Sequence, residues 1–536
     1  MKISRLTQLI ALVPLAAVAG DWPEWSGTPG RNMVSNEKGL PTEFAPGKKI
    51  KGKDEIDLAT TKNCKWIVKL GSQTYGTPTV SGGKILIGTN NESPRDRGKM
   101  GDRGILMCLD EKTGKFNWQL VVPKLAAGKV NDWEFLGICA SASIEGDRAY
   151  IVTNQCEVVC IDMNGQANGN DGPYKDEAKF MTPPAAPGQP APTAAEVTPK
   201  DADIIWRYSM RDELGVFPHN MTSSSPTIVG DKIYVTTSNG VDWTHTNIPN
   251  TQAPSFIALD KKTGAYVAEE PSKISTRILH CSWASPASGD LGGVPGVVFA
   301  AGDGWVYGYG MGIKKEDEDV SLMEELWRYD ANPHEYRFDQ SAMPRKYATS
   351  EGPSEIIATP VFYKNRIYVA IGQDPEHGEG VGMLSCIDAT KRGDITKDGA
   401  IWTYKEIGRA ISTVSIKDDL LYIAEYAGMV HCLDAETGKK YWTYDTKGHI
   451  WGSTLLADGR IYVGNEEGEL TILAAGKEMK KLGFIDFPSP ILCSAVAANG
   501  ALLISTQTHL YCFAEGAKPS PMELPPAVVP AAPAAK

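Results

Sequence analysis

Asp419-Leu-Leu-Tyr-Ile-Ala-Glu-Tyr-Ala-Gly-Met-Val-His-Cys-Leu-Asp434-Ala-Glu-Thr-Gly438-Lys-Lys-Tyr-Trp442 is the stretch on which the fold turns. It reads as a short strand, Asp419-Leu-Leu-Tyr-Ile, then a second strand ending at Asp434. A Glu-Thr-Gly turn follows, whose glycine permits the positive φ of a tight hairpin, and a further strand opens at Trp442. Forty residues beyond Tyr422 the first strand returns as Gly459-Arg-Ile-Tyr-Val. Earlier copies are Lys84-Ile-Leu-Ile, Arg148-Ala-Tyr-Ile-Val, Lys232-Ile-Tyr-Val, Gly296-Val-Val-Phe and Asn365-Arg-Ile-Tyr-Val, and the last is Gly500-Ala-Leu-Leu-Ile, eight in all. Each follows a run with small residues at its centre, such as Thr77-Pro78, Ser225-Pro226, Thr359-Pro360 and Ser453-Thr454. Small residues suit strands that crowd around an axis.

The period predicts an all-β chain: an eight-bladed β-propeller of four-stranded blades over residues 62–516. A β-sandwich would not produce eight copies in register. The last copy ends at Cys512-Phe513 without a Trp strand of its own, whereas Lys65-Trp66-Ile-Val-Lys-Leu70 precedes any complete copy. The N-terminal strand is therefore expected to finish the last blade, closing the ring and removing a sheet edge. Residues 21–61 form an N-terminal extension. Residues 163–203 interrupt the second copy with a Pro/Ala-rich stretch expected to be mobile, and 517–536 read as a disordered Pro/Ala-rich tail.

At Cys108-Leu-Asp-Glu-Lys-Thr-Gly-Lys-Phe-Asn-Trp118 and Cys432-Leu-Asp-Ala-Glu-Thr-Gly-Lys-Lys-Tyr-Trp442 the chain resembles the pyrroloquinoline-quinone (PQQ) repeat family. The resemblance covers about residues 62–513. It implies a propeller in which Trp66, Trp118, Trp206, Trp327, Trp402 and Trp442 pack between neighbouring blades. The family includes quinoprotein dehydrogenases and a non-enzymatic outer-membrane assembly factor, so it implies a fold more than a function. The large dehydrogenases set a vicinal disulfide against the quinone, and many carry a haem-attachment motif. This chain has neither adjacent cysteines nor Cys-x-x-Cys-His, which counts against PQQ as a cofactor.

Met1 to Arg5 is basic, Leu6 to Ala19 is apolar, and Ala17-Val18-Ala19 offers a cleavable small-x-small pattern. Residues 1–20 thus read as a secretory signal, and the product is expected in the periplasm or outside the cell with no transmembrane segment in the mature chain. With a net charge of −11, binding to nucleic acid through its phosphates is disfavoured. Cys108, Cys160, Cys386, Cys432 and Cys512 recur at equivalent places, too far apart to cross-link, and are expected to be buried apolar residues. Cys139 and Cys156 could face each other across one hairpin.

In a four-stranded blade the second-to-third loop and the fourth-to-first connection emerge on the same side. His219, His280 and His449 fall in fourth-to-first connections, and His245, His377 and His509 in or beside second-to-third loops. That face also gathers Asp242, Asp374, Glu376, Arg409 and Trp451. Polar loops with aromatics at one end of a rigid scaffold are where function concentrates. The expected ligand set is Asp242, His245, His280, Asp374, Glu376, His377, Arg409, His449 and Trp451. Within it Asp374, Glu376 and His377 are candidate ligands for a divalent metal such as Ca²⁺. The oxygen-rich stretch from Asp162 to Gly172 lies on the opposite face and lacks the spacing of an EF-hand loop. The expected function is a non-catalytic binding or assembly scaffold that holds a protein, peptide or small molecule on this face. A quinone- or metal-dependent oxidoreductase using the same face is the alternative.

Overall fold

In the computed structural model, residues 20–523 and 525 are described, apart from 54, 186, 187, 318 and 319. The signal-like residues 1–19 lie outside the described residues, as does most of the tail. The fold is all-β and of propeller type. Six separate four-stranded sheets are present, and a nine-stranded sheet holds two further four-stranded meanders. Those two are joined where Glu269 pairs in parallel with Leu322. Among the described residues no helix is long and apolar enough to cross a membrane.

In each meander the first strand is short, as in Thr79–Ser81, Leu455–Ala457 and Val496–Ala498. The strand Cys64–Lys69 pairs antiparallel with His509–Phe513, placing Trp66 opposite Cys512, so the N-terminal strand completes the last sheet. Five of the six repeat tryptophans cross to the next unit through a hydrogen bond. The Nε1 groups of Trp66, Trp118, Trp206, Trp402 and Trp442 donate to the carbonyls of Glu111, Met163, Lys261, Ala435 and Gly476. The Thr-Gly turn of the repeat has a second purpose beyond its backbone conformation. A Cβ on Gly114 would stand 2.7 Å from the Trp66 ring, and one on Gly438 2.6 Å from the Trp402 ring. Trp327 departs from the pattern: it is buried, its Nε1 has no partner among the described residues, and its ring lies over Gly308 of its own unit. That joint is made instead by the strand Ser321–Asp330, which pairs in parallel with Gly393–Asp394 of the following unit.

All ten cysteines are free and buried. The five repeat cysteines pack as expected, but Cys139 and Cys156 do not pair. Cys156 points its thiol at the Thr237 carbonyl and Cys139 at the Leu136 carbonyl. Within the insertion, Glu177–Met181 is helical, with Phe180 and Met181 buried.

The N-terminal extension takes an unexpected course. Each first strand is bonded within its sheet on one side only, and residues Trp22 to Glu37 run past the free edges of these strands, in chain order except that the third is met by the Arg31 side chain. Trp22 exchanges two backbone hydrogen bonds with Val80, and the Pro23 carbonyl accepts from Ile144. Arg31 reaches Pro226 and Pro286, the Pro29 carbonyl accepts from Ser288, and the Gly30 carbonyl from Phe362. Asn32 brackets Ile416, Met33 and Ser35 bracket Leu456, and Glu37 accepts from Gly500. The extension thus covers strand edges that would otherwise be unpaired and seals one end of the axis.

Candidate functional site

Above that seal lies an axial cavity of about 670 Å³. Its wall is built from the residues that lead into the first strands, among them Thr77, Ser141, Ser225, Ser285, Thr359, Thr413 and Ser453, so the small residues of the repeat leave room at the centre. Trp25, whose Nε1 donates to Thr359 Oγ1 at 3.2 Å, belongs to the sealing segment. The opposite end carries Trp133, Trp243, Trp283 and Trp451 with His245, His280, Asp374, Glu376 and His377. Trp243 is 60% exposed and stacks on Trp133 at 6.1 Å.

Four imidazoles meet there. His219 and His280 lie 4.3 Å apart between ring centroids, and His245 stands 5.1 Å from His219 and 5.2 Å from His280. His377 stands 4.9 Å from His280 and 5.2 Å from His245. His219, His245 and His280 each offer one ring nitrogen, and those three atoms all lie within 4.8 Å of one another. His219 and His280 are fully buried. The His219 Nδ1 is 2.7 Å from the Val241 carbonyl, which leaves its Nε2 without a partner. Both ring nitrogens of His280 lack a hydrogen-bond partner. Burial, then neighbouring imidazoles, push His219 down to about 3, and burial foremost holds His280 and His377 down to about 4. These three rings are therefore neutral at pH 7, with a lone pair on one nitrogen of each.

The platform beneath is Glu355, fully buried in the run that leads into the fifth first strand. Its two oxygens accept the backbone N–H groups of Cys281 and Asp374, each at 3.1 Å, and Oε1 also accepts from Tyr347 at 3.3 Å. One carboxyl group so ties the His280 connection to the Asp374 loop. Oε1 stands 3.5 Å from His280 Nδ1, and burial pushes Glu355 up to about 7.

The expected ligand set divides. His245, His280, Asp374, Glu376, His377 and Trp451 line the cavity. Asp242 does not: it organises its own turn, accepting from Thr244 and Asn247. Arg409 is buried beneath the Asp374 loop, with its guanidinium on the Thr349 and Glu379 carbonyls. His449 sits at the rim, stacked on Tyr426 at 4.5 Å, with Nε2 3.2 Å from Glu379 and Nδ1 3.3 Å from Glu466. Asp374, Glu376 and His377 do not converge as a ligand set, because Asp374 Oδ1 accepts the Glu376 N–H while His377 faces the other imidazoles. Sequence sorting placed His219 on this face but outside the ligand set, and it missed Glu355, whose one signal is an acid in an otherwise small and apolar run. On the other side of the units Asp162, Asp171 and Asp203 also converge, with Arg148 paired to Asp162 and the Asp171 N–H donated to Asp203.

Comparison with known proteins bears on the repeat. Residues 59–191 and 380–478 match the family described as outer membrane protein assembly factor BamB. The repeats in these two segments are similar to the PQQ type. No curated protein matches the chain. Among solved structures it is similar to BamB from Moraxella catarrhalis, with 13% identity over 84% of this chain and 97% of that one, and a TM-score of 0.49. It is also similar to a europium-containing methanol dehydrogenase, with 12% identity, 92% and 98% coverage and a TM-score of 0.45. A quinohemoprotein alcohol dehydrogenase from Comamonas testosteroni gives 12% identity, 95% and 82% coverage and a TM-score of 0.44. His219, His245, His280, Glu355 and His377 all fall between the two matched segments.

Proposed function

We propose that the four-stranded units form an eight-bladed ring and that the chain is exported and acts by binding. It takes a small molecule, or the end of a peptide, into the axial cavity through its loop-rich face. The observation that carries this reading is a cavity of about 670 Å³ shut at one end by the chain's own N-terminal segment. A pocket of this volume suits a compact organic ligand, and a shut floor requires whatever enters to end inside. The indoles of Trp25, Trp133, Trp243, Trp283 and Trp451 offer faces to a planar or cyclic group, and the ring of Ser and Thr hydroxyls offers hydrogen bonds.

PQQ itself does not fit the residues present. A tricarboxylate needs cations, and the described cavity wall has neither Lys nor Arg but does carry Asp374 and Glu376. Arg409 does not line the cavity, and both of its terminal guanidinium nitrogens are on backbone carbonyls. Native mass spectrometry of protein purified from its own host tests the binding reading. A bound organic mass at one equivalent, lost in a Trp283→Ala/Trp451→Ala variant with an unchanged melting temperature, is expected. A wild-type protein that carries no such mass, or an adduct that survives the double substitution, would overturn it.

A further inference from the structure

We propose that His219, His245 and His280 bind one first-row transition-metal ion of the zinc or copper type at the mouth of the cavity. The cluster is three imidazoles brought from two different connections and one loop, not neighbours on a single element: His219 precedes the first strand of the third unit, His280 that of the fourth, and His245 lies between Lys232–Thr236 and Phe256–Asp260. Nitrogens on one tetrahedral ion at about 2.0–2.1 Å stand about 3.4 Å apart. The donor atoms here all lie within 4.8 Å of one another, so closure asks for a modest inward turn of the rings. His245 can supply it, because it is exposed and lies in a loop.

The buried members have the unmet valence that a metal would satisfy. A buried polar nitrogen without a partner is costly and rare in a native protein. Yet the Nε2 of His219 and both ring nitrogens of His280 are in that state, side by side. The His219 ring is also held as metal-ligating histidines are held, with its Nδ1 directed at the Val241 carbonyl. Glu355 Oε1 stands 3.5 Å from His280 Nδ1, without a formed hydrogen bond in the metal-free chain but placed to hold that nitrogen once the other binds a metal. The all-nitrogen donor set selects zinc or copper over the oxygen-seeking Ca²⁺ expected from the Asp374 loop. Three protein ligands leave a coordination position free, and His377 stands beside it against both His245 and His280.

The test uses the full-length mature protein, stripped with a chelator that is then removed, and titrated separately with ZnCl₂, CuCl₂ and CaCl₂ by calorimetry and metal analysis. One equivalent of Zn²⁺ or Cu²⁺ is expected, with no Ca²⁺ displacing it, and bound Cu²⁺ should show nitrogen hyperfine splitting. His280→Ala and His245→Gln should each weaken binding by at least the roughly 10–100-fold seen when only a ligand's partner is lost, whereas His334→Ala, outside the cluster and the cavity wall, should not. The His245 variant keeps the test decisive even if the buried substitution impairs folding, because that side chain is exposed. Substoichiometric binding, or one equivalent that survives both substitutions at the mouth, would overturn the assignment and leave the imidazoles as packing. Because the probe is the metal alone, its failure leaves the organic-ligand reading standing, and the loss of that ligand in the tryptophan variant leaves this one standing.

Discussion

Arg31 and His280, at the two ends of the axis, bury their nitrogens in opposite ways. At the sealed end Arg31 is fully buried, and each of its guanidinium nitrogens has an acceptor. Nε donates to the Pro286 carbonyl at 2.8 Å, Nη1 to the Trp25 carbonyl at 2.6 Å and Nη2 to the Pro226 carbonyl at 2.9 Å, with Glu24 3.1 Å away as counter-charge. At the open end His280 is equally buried, and neither of its nitrogens is bonded. A buried polar group that is fully matched holds structure together, whereas an unmatched one beside a cavity can be met by a ligand. The contrast separates the part of the axis that builds the fold from the part that uses it.

The largest effect should come from breaking the sealed end. Arg31→Met leaves the Glu24 carboxylate buried beside no cation and removes the donor that the Trp25, Ser225, Pro226 and Pro286 carbonyls, from three segments, share. Loss of one partner from a buried pair costs about 3–5 kcal/mol, read as a lower urea midpoint. Adding Glu24→Leu should recover part of that loss, because the two residues share one interaction. A loss below about 1 kcal/mol for Arg31→Met would mean that the segment is a loose strap, and the contrast between the ends would fail.

How much of this was legible in the sequence follows from which atoms do the work. The strands, the Trp docking and the closure by Cys64–Lys69 are written in side chains that repeat, so one copy teaches the next. Trp327 misleads because its joint is made by backbone pairing with Gly393–Asp394. The seal was invisible for the same reason: Pro23, Pro29, Gly30 and Met33 act through their carbonyls, and Arg31 looks like any surface cation until its surroundings are known. At the mouth, loop sorting found His245, His280 and His377 because strand order fixes the side on which a loop emerges. It could not separate Asp242, which folds its own turn, or Arg409, which props a neighbouring loop, from residues that reach the cavity.

A smaller effect sharpens the comparison through pH. Glu270 lies in the connection that carries His280, is buried, and is pushed up to about 8 by burial from its ordinary value of 4.5, with one oxygen accepting from Ile274 and the other unpartnered. Between those two values the folded chain keeps a proton that the unfolded chain releases. Its contribution to stability is therefore complete below about pH 4.5 and is lost as pH rises through about 8, with a slope of at most about 1.4 kcal/mol per pH unit. Glu270→Gln should flatten this limb of the stability profile in urea titrations between pH 5 and 8. An unchanged profile would show that Glu270 is ionised in the fold and has a partner that the hydrogen bonds do not reveal.

The smallest effect is the one that decides the meaning of the open end. His280→Leu in metal-free protein removes an imidazole that makes no hydrogen bond and replaces it with an apolar side chain of similar size. Glu355 keeps its bonds from Cys281, Asp374 and Tyr347, so no acceptor is orphaned by the change. Removing an unpaired buried polar group is nearly neutral or stabilising. The urea midpoint should accordingly stay within about 1 kcal/mol of wild type, against the several lost at Arg31. Excess ZnCl₂ should then raise the melting temperature of the wild type, since a ligand that binds only the folded state stabilises it, and should leave the variant unmoved. A loss of about 3 kcal/mol or more in the absence of metal would reverse the reading: His280 would be a packed structural residue like Arg31, and the two ends of the axis would be alike.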